Sequence, residues 1–325
     1  MVDSPRVSPP AASPSPALAS RPAPRVKPSS DRSATFAFWC FVGPSLLGLT
    51  VFTLIPILWG FALSLSHAQN TIKPGHFVGA ANYLDLLSDE AFLRSLGTIL
   101  VFALFIVPLT YCVSLGLALL VNRAGWGTPF FRTVFFIPSA VSYVVASLVW
   151  KMSLFNGVKS GLANQIVAHF GSEPINWIGT ASPPWFWLVL VSARLWLQVG
   201  FFMIIFIAGL QEIPRSIYEA AAVDGARDGW QMLRFITLPQ LRATSISVLL
   251  LNFIGAFQAF DEFYNILGSA GANASLARPP LVYLYSLALS DQDFGRGTAG
   301  AFILTAIIFT VTIVQSRILG FGESD

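Results

Sequence analysis

Charge is scarce in this sequence. Only 11% of the 325 residues are Asp, Glu, Lys or Arg, and 54% are hydrophobic, whereas soluble globular domains carry about 25% charged residues. This shortage excludes an ordinary soluble enzyme. The formal net charge is only +3 and the basic residues are not gathered in one segment, so nucleic acid is not expected as a partner.

Cysteine and histidine are also rare. Cys40 and Cys112 lie in apolar stretches without a CxxC-type neighbour, so neither a structural disulfide nor a metal site is expected. His67, His76 and His169 fall in predicted outer loops without metal-ligand spacing. The phosphate-binding pattern GxxxxGK followed by Ser or Thr does not occur, and no nucleophile or acid–base group set is present. The chain is therefore expected to hydrolyse no ATP itself, to perform no other catalysis and to need no cofactor.

Long apolar runs separate the few charged residues. Each approaches or exceeds the roughly 18–20 residues that a helix needs to cross a hydrocarbon core about 30 Å thick. The sequence thus predicts an all-α polytopic membrane protein with six transmembrane helices within residues 34–320. The predicted spans one to six are about 36–65, 95–121, 132–154, 185–210, 243–262 and 297–318.

Residues 1–33 precede the first span and have a different composition. They contain eight Pro and eight Ser and almost no large apolar residue, so they cannot bury enough surface to offset the entropy of ordering. We expect a disordered tail here. With the N-terminus inside, twelve of the 19 Lys and Arg lie on the inner side and six on the outer side. This bias favours a multi-pass membrane protein with both termini cytoplasmic.

The loop between spans four and five, residues 212–242, is patterned unlike a simple connector. Small and apolar residues recur at helical spacing before Gly225, and Gly225 and Gly229 can adopt the positive φ that ends a helix. Apolar residues then recur at three-residue spacing from Trp230, and Pro239 lies where the chain re-enters the membrane. The pattern predicts a helix, a turn and a second helix at the inner surface.

This loop resembles the EAA motif of the membrane subunits of binding-protein-dependent ABC importers. The matching residues are Glu219, Ala220, Ala221, Gly225, Ile236, Leu238 and Pro239. Neighbouring words such as AGLQEIP, YEAAAVDGA and FITLPQL resemble the carbohydrate-uptake branch of that family, and the resemblance runs from about residue 36 to 318. One departure is visible: ten residues rather than nine separate Gly225 from Ile236, with the extra residue around Arg227 to Gly229.

The resemblance implies a mechanical role for the loop as a coupling helix that docks into a cytoplasmic ATPase dimer, where ATP is bound. It implies further partners: a second, similar permease subunit, an extracytoplasmic solute-binding protein and a sugar or sugar-like solute. The implied coupling residues are Glu219, Ala220, Ala221, Asp224, Gly225, Ile236, Leu238 and Pro239. Glu219 would make polar contact with the ATPase, and Gly225 would form the turn.

Span five combines amides, a carboxylate and aromatic rings, which suit a sugar that needs both hydrogen bonds and stacking. The predicted substrate pathway comprises Asn252, Gln258, Phe260, Asp261 and Tyr264, together with Arg194 in span four. Two alternatives stay open. Amides in membrane helices commonly join helices to one another, and Arg194 either faces a cavity or an acidic partner, or extends to the outer surface.

Two other function classes are less consistent with the sequence. An ion-coupled secondary transporter of a small polar solute would show inverted repeats and discontinuous helices near the midplane, and the sequence indicates neither. An intramembrane enzyme would need paired catalytic groups within the spans, whereas Asp261 is the only acid that we expect close to a span interior. The sequence does not identify the solute.

Overall fold

The computed structural model describes residues 32–123, 125–227, 229–268 and 273–318. Within these ranges no β-strand occurs and only two isolated β-bridges are present, so the predicted all-α class is confirmed. All but the last two residues of the predicted tail, 1–33, lie outside the described residues. The chain divides into two units, residues 1–55 and 56–325, and the first contains an exposed helix whose described side chains lie mostly at the surface.

Fifteen α-helices are described. The first eight are α1 (Arg32–Leu49), α2 (Ile55–Ser64), α3 (Ala81–Ser88), α4 (Glu90–Asn122), α5 (Thr128–Phe136), α6 (Tyr143–Val149), α7 (Leu162–His169) and α8 (Phe186–Glu212). The others are α9 (Arg215–Val223), α10 (Trp230–Met232), α11 (Leu238–Gln240), α12 (Arg242–Phe257), α13 (Asp261–Leu267), α14 (Pro280–Tyr285) and α15 (Phe294–Ile318). Short π-helical turns at Thr50–Leu54, Trp150–Leu154, Leu233–Thr237 and Ser286–Ser290 extend four of these helices.

Five helices of the described residues are long and apolar enough to cross a membrane. They are Thr35–Ser64, Glu90–Asn122, Phe186–Glu212, Arg242–Leu267 and Phe294–Ile318, which correspond to predicted spans one, two, four, five and six. A sixth is obtained when one bent helix pair is counted as a span. The prediction of an all-helical, multi-span membrane protein is confirmed.

Span three is not the continuous helix that the sequence predicted. Thr128–Ala140 and Tyr143–Leu154 are two helices bent by 91° relative to each other. Pro138 lacks the backbone donor that an α-helix needs, and the chain around it tightens into a 3-10 turn. Val141 and Ser142 then adopt extended backbone, with ψ of 138° and 137°. The bend therefore follows from proline and two extended residues.

Span five is also interrupted. Helix α12 ends at Phe257 and α13 begins at Asp261, so the predicted span 243–262 contains a break and the helical segment continues to Leu267. Neither proline nor glycine occurs in the three residues between the two helices. The chain turns at Phe260, whose φ of −138° and ψ of −59° are not helical.

Helix α8 is the most buried of the described spans, and it packs against α4, α5, α12 and α13. Two of its glycines allow close approach of a neighbour. A Cβ on Gly200 would overlap the backbone carbonyl of Phe135 beside the span-three bend, and one on Gly209 would overlap the side chain of Thr244 in span five. The two interrupted spans, three and five, thus pack closely against the continuous span four.

The predicted outer end contains a short apolar helix at Pro280–Ser290. Tyr283 and Leu284 are buried, and the helix contacts α4 and α15. One side of this short helix is therefore packed within the protein.

Asp89 connects this short helix to the start of span two. Its side chain caps α4 by accepting from the backbone N–H of Ala91 at 2.8 Å, and its Oδ2 accepts from Tyr283 at 2.8 Å and from Arg296 at 3.1 Å. Burial alone would raise the pKa of Asp89, but these hydrogen bonds and the nearby arginine outweigh it and lower that pKa. Burial and the Asp89 carboxylate raise the pKa of Tyr283 to about 12. Asp89 therefore stays ionised and joins three helices.

Residues 155–185, between spans three and four, are organised around Asn164. This fully buried side chain donates to the carbonyls of Val158 and Ile175, at 3.1 Å each, and accepts from the indole N–H of Trp177 at 2.9 Å. It also accepts from the backbone N–H of Ile175 at 2.9 Å. One side-chain amide therefore pairs with backbone groups that are paired within a helix or sheet in regular secondary structure.

Candidate functional site

The 212–242 loop folds as a helix, a turn and a second helical segment. The first helix, α9, ends in a Schellman cap: the N–H of Ala226 donates to the carbonyl of Ala221 at 2.9 Å, and that of Gly225 donates to Ala222 at 3.1 Å. Gly225 has φ of +88°, the left-handed conformation that this cap requires. The spacing between the alanines and the glycine of the motif is thus the geometry of a helix end.

Glu219, Ala220, Asp224, Gly225 and Pro239 are exposed at the surface of the loop. The other predicted coupling residues face inward: Ala221 is buried, and Ile236 and Leu238 are half-buried. The predicted set therefore separates into an accessible face and a face that holds the loop against the bundle.

Large apolar side chains are exposed on the same loop. Val223 is 88% exposed, Trp230 67% and Phe235 66%. Apolar groups grouped on an otherwise polar surface are typical of a site that another protein covers. A cavity of about 980 Å³ adjoins Trp230, between α9, the second helical segment and the ends of spans two and four. Glu219, Tyr218 and Trp230 are among its lining residues.

A substitution at Gly225 tests whether this turn matters. We expect Gly225→Val to destabilise the loop by about 1–2 kcal/mol because a side chain, above all a branched one, disfavours positive φ. Gly225→Asn is the matched control, since asparagine tolerates this conformation better. Hydrogen exchange of residues 215–226 should show faster opening for the valine variant than for the asparagine variant. Equal exchange in the two variants would contradict the importance of the positive φ.

The second candidate site lies at the break of span five, where Arg194 meets an acid. Its Nη1 lies 3.0 Å from Oε1 of Glu262, and its Nη2 donates to the carbonyl of Gly255 at 2.6 Å. Both side chains are almost fully buried. The alternative that Arg194 faces an acidic partner is correct, and extension to the outer surface is wrong. The expectation that Asp261 is the only acid close to a span interior is also wrong, because Glu262 is 1% exposed.

Asn252 is likewise enclosed within the protein. It is fully buried and donates to the carbonyl of Val107 in span two at 3.1 Å, which is the helix–helix contact that the sequence left open as an alternative. Gln258, by contrast, is exposed, and Phe260, Asp261 and Tyr264 are half-buried. The predicted pathway residues therefore fall into a buried group and a group that reaches the surface.

Two residues of the accessible group, Phe260 and Tyr264, form an aromatic cluster with Tyr285. Phe260 and Tyr264 stack with centroids 5.1 Å apart, and Tyr285 lies 5.4 Å from the first and 5.3 Å from the second. Tyr285 is not among the pathway residues predicted from the sequence, and it lies outside the six predicted spans. We call Phe260, Tyr264 and Tyr285 the aromatic triangle.

The six apolar segments, counting the bent pair, and the helix–turn–helix between spans four and five define a multi-pass membrane permease. The chain belongs to the family described as binding-protein-dependent transport system inner membrane component, which matches residues 111–319. It is therefore a membrane permease subunit of an ABC importer.

Curated relatives match over nearly the whole chain. The trehalose/maltose transport system permease protein MalF of Thermococcus litoralis is 32% identical over 85% of this chain and 90% of its own. The arabinooligosaccharides permease AraP of Bacillus subtilis is 30% identical over 87% and 88%, and the lactose permease LacF of Rhizobium radiobacter is 30% identical over 85% and 92%.

The fold also matches a solved structure. A chain of a bacterial ABC transporter involved in the import of the acidic polysaccharide alginate aligns with a TM-score of 0.79 and 19% identity, over 90% of this chain and 98% of that one. The broken spans three and five thus occur within an importer fold. A discontinuous helix, the feature expected of a secondary transporter, does not favour that alternative here.

Proposed function

We propose that this permease subunit moves a saccharide into the cytoplasm, driven by a separate cytoplasmic ATPase dimer and supplied by an extracytoplasmic binding protein. A second, similar permease subunit completes the pathway, and both termini of the chain are cytoplasmic. The chain itself performs no catalysis and binds no cofactor. The names of the relatives, which transport maltose, lactose and arabinooligosaccharides, support a saccharide.

The observation that carries the coupling proposal is the exposed face of the 212–242 loop. Glu219 is followed by three alanines, Ala220 to Ala222, and lines the same cavity as exposed Trp230, so a partner can approach the α9 backbone closely and cover apolar surface. A capped helix transmits rigid-body motion better than a flexible segment. These features support docking of an ATPase here, with Glu219 as a polar contact.

The aromatic triangle supports saccharide passage at the break of span five. Aromatic rings stack on the C–H faces of a sugar, and Gln258 and Asp261 beside them supply hydrogen-bonding groups for its hydroxyls. Asp261 would repel an anionic solute, so we propose a neutral saccharide. Within this proposal Asn252 and Arg194 shape the pathway from inside the protein, because neither reaches its surface.

The coupling part is tested by Glu219→Lys in cells that carry the whole transport system. We expect uptake of a saccharide mixture (radiolabelled maltose, lactose and arabinobiose) to fall about tenfold or more, since a charge reversal at an interface costs affinity for the partner. The variant should recover less ATPase subunit when the tagged chain is purified from membranes, while its level in the membrane stays normal.

Glu173→Lys is the control, because Glu173 is an exposed acid in the segment between spans three and four, away from the loop. It should leave both uptake and ATPase recovery unchanged. The proposal is contradicted if the wild-type chain recovers no ATPase subunit, or if Glu219→Lys transports as well as Glu173→Lys.

A further inference from the structure

The buried ion pair between Arg194 and Glu262 needs an explanation. The two side chains are only 8% and 1% exposed, and removal of two charges from water is costly even when they meet each other. Each also keeps one buried polar atom without a hydrogen-bond partner among the described residues, Nε of Arg194 and Oε2 of Glu262. A buried ion pair with unpaired polar atoms is not expected to contribute much to stability, so its presence points to another role.

The position of the pair in span five is unusual. Gly255, whose carbonyl accepts from Arg194, lies in the last turn of α12, and Glu262 lies in the first turn of α13. Carbonyls at a helix end lack intrahelical partners, and an acid is favoured at a helix start. One guanidinium therefore holds the chain on both sides of the break.

The same guanidinium also contacts the bend of span three. It lies 4.9 Å from the centre of the ring of Tyr143, the first residue of α6 after the bend. Arginine suits this role because its planar group can donate in two directions while stacking on a ring. Arg194 thus joins the two discontinuous spans to the continuous span four.

The 212–242 loop connects the same two helices, α8 and α12, at their other end, roughly 27 Å from Arg194 along α8. Building on the proposed function, we infer that Arg194 and Glu262 are positioning residues for transport. The loop joins α8 to span five at one end, and the ion pair joins them at the other end. A displacement of the loop is therefore transmitted to the aromatic triangle. Without the pair, the break absorbs the movement.

A double replacement separates this role from a purely structural one. Removal of one partner leaves an unpaired buried charge, whereas exchange of both for apolar residues of similar size often preserves stability. The test variant is therefore Arg194→Met with Glu262→Met. The matched control is Arg94→Met with Glu90→Met, which removes an ion pair of the same residue types that is exposed on α4.

The experiment uses the complete transporter with its ATPase and binding protein in proteoliposomes. We expect the Arg194/Glu262 double variant to assemble and to hydrolyse ATP without binding protein at the wild-type rate. Its uptake of the saccharide mixture should fall about tenfold or more, and its ATP hydrolysis should no longer respond to the binding protein. The Arg94/Glu90 control should match wild type. An assembled double variant with wild-type uptake would overturn the inference.

Arg194→Lys keeps the test decisive if the double variant does not assemble. Lysine preserves the charge that Glu262 needs, but its single ammonium cannot hold Glu262, Gly255 and the Tyr143 ring in the same geometry. We expect an assembled complex with uptake reduced about fivefold, and undiminished uptake would overturn the inference. A wild-type transporter that takes up none of the saccharides contradicts the proposed function instead.

Discussion

Replacement of Gly200 by alanine is expected to separate span four from the bend of span three. The added Cβ would overlap the carbonyl oxygen of Phe135 and lie 2.9 Å from Cα of Phe136. Both obstacles are backbone atoms, which cannot rotate away as a side chain does, so two helices must move apart. We expect a loss of about 3 kcal/mol or more, the upper range for overpacking in a close-packed interior.

Thermal unfolding of the detergent-solubilised chain, followed by size-exclusion chromatography, measures this effect. Gly116→Ala is the control, because Gly116 is also a helical glycine but a Cβ there meets nothing within 4 Å. That substitution should be neutral or stabilise by about 0.5–1 kcal/mol, as alanine favours a helix. If the two variants unfold at the same temperature, the close approach of spans three and four is wrong.

Asn164→Leu is expected to have an effect of similar size in the segment between spans three and four. Leucine fills the space but leaves the N–H of Ile175, the indole of Trp177 and two carbonyls without their buried partner. Since each unsatisfied buried group costs about 1–3 kcal/mol and four groups lose their partner, we expect a loss of about 4 kcal/mol or more.

Fluorescence of the tryptophans and limited proteolysis of residues 155–185 would detect this loss. Gln165→Leu is the control, because Gln165 follows Asn164 on the same helix but is exposed, and its side chain donates to the carbonyl of Ser160. Protection of the segment that is equal in both variants would show that Asn164 does not organise it.

The features that the sequence predicted well are local ones. An apolar run long enough to span a membrane and a glycine that ends a helix both depend on neighbouring residues. The positions of five spans and the turn at Gly225 could therefore be predicted from the sequence. The bend of span three was not. Pro138 was visible, but proline inside a membrane helix is often accommodated, and the two extended residues after it have no distinctive sequence signal.

The ion pair shows a second limit. The sequence pointed to Asp261, but the buried acid is its neighbour Glu262. Successive residues of a helix point about 100° apart, and the break at residues 258–260 changes the phase between α12 and α13, so helical spacing counted from Asn252 does not carry across it. The partner of Arg194 lies 68 residues along the chain, a contact that only the packing of two spans determines.

The Schellman cap of α9 has a consequence for how this loop tolerates changes in length. Both cap hydrogen bonds are completed at Ala226, so a residue inserted beyond that point unwinds neither helix. The additional residue of this chain, around Arg227 to Gly229, falls in that spacer. In the function proposed above, α9 can therefore keep its form while the length of the spacer sets how far the ATPase lies from the membrane.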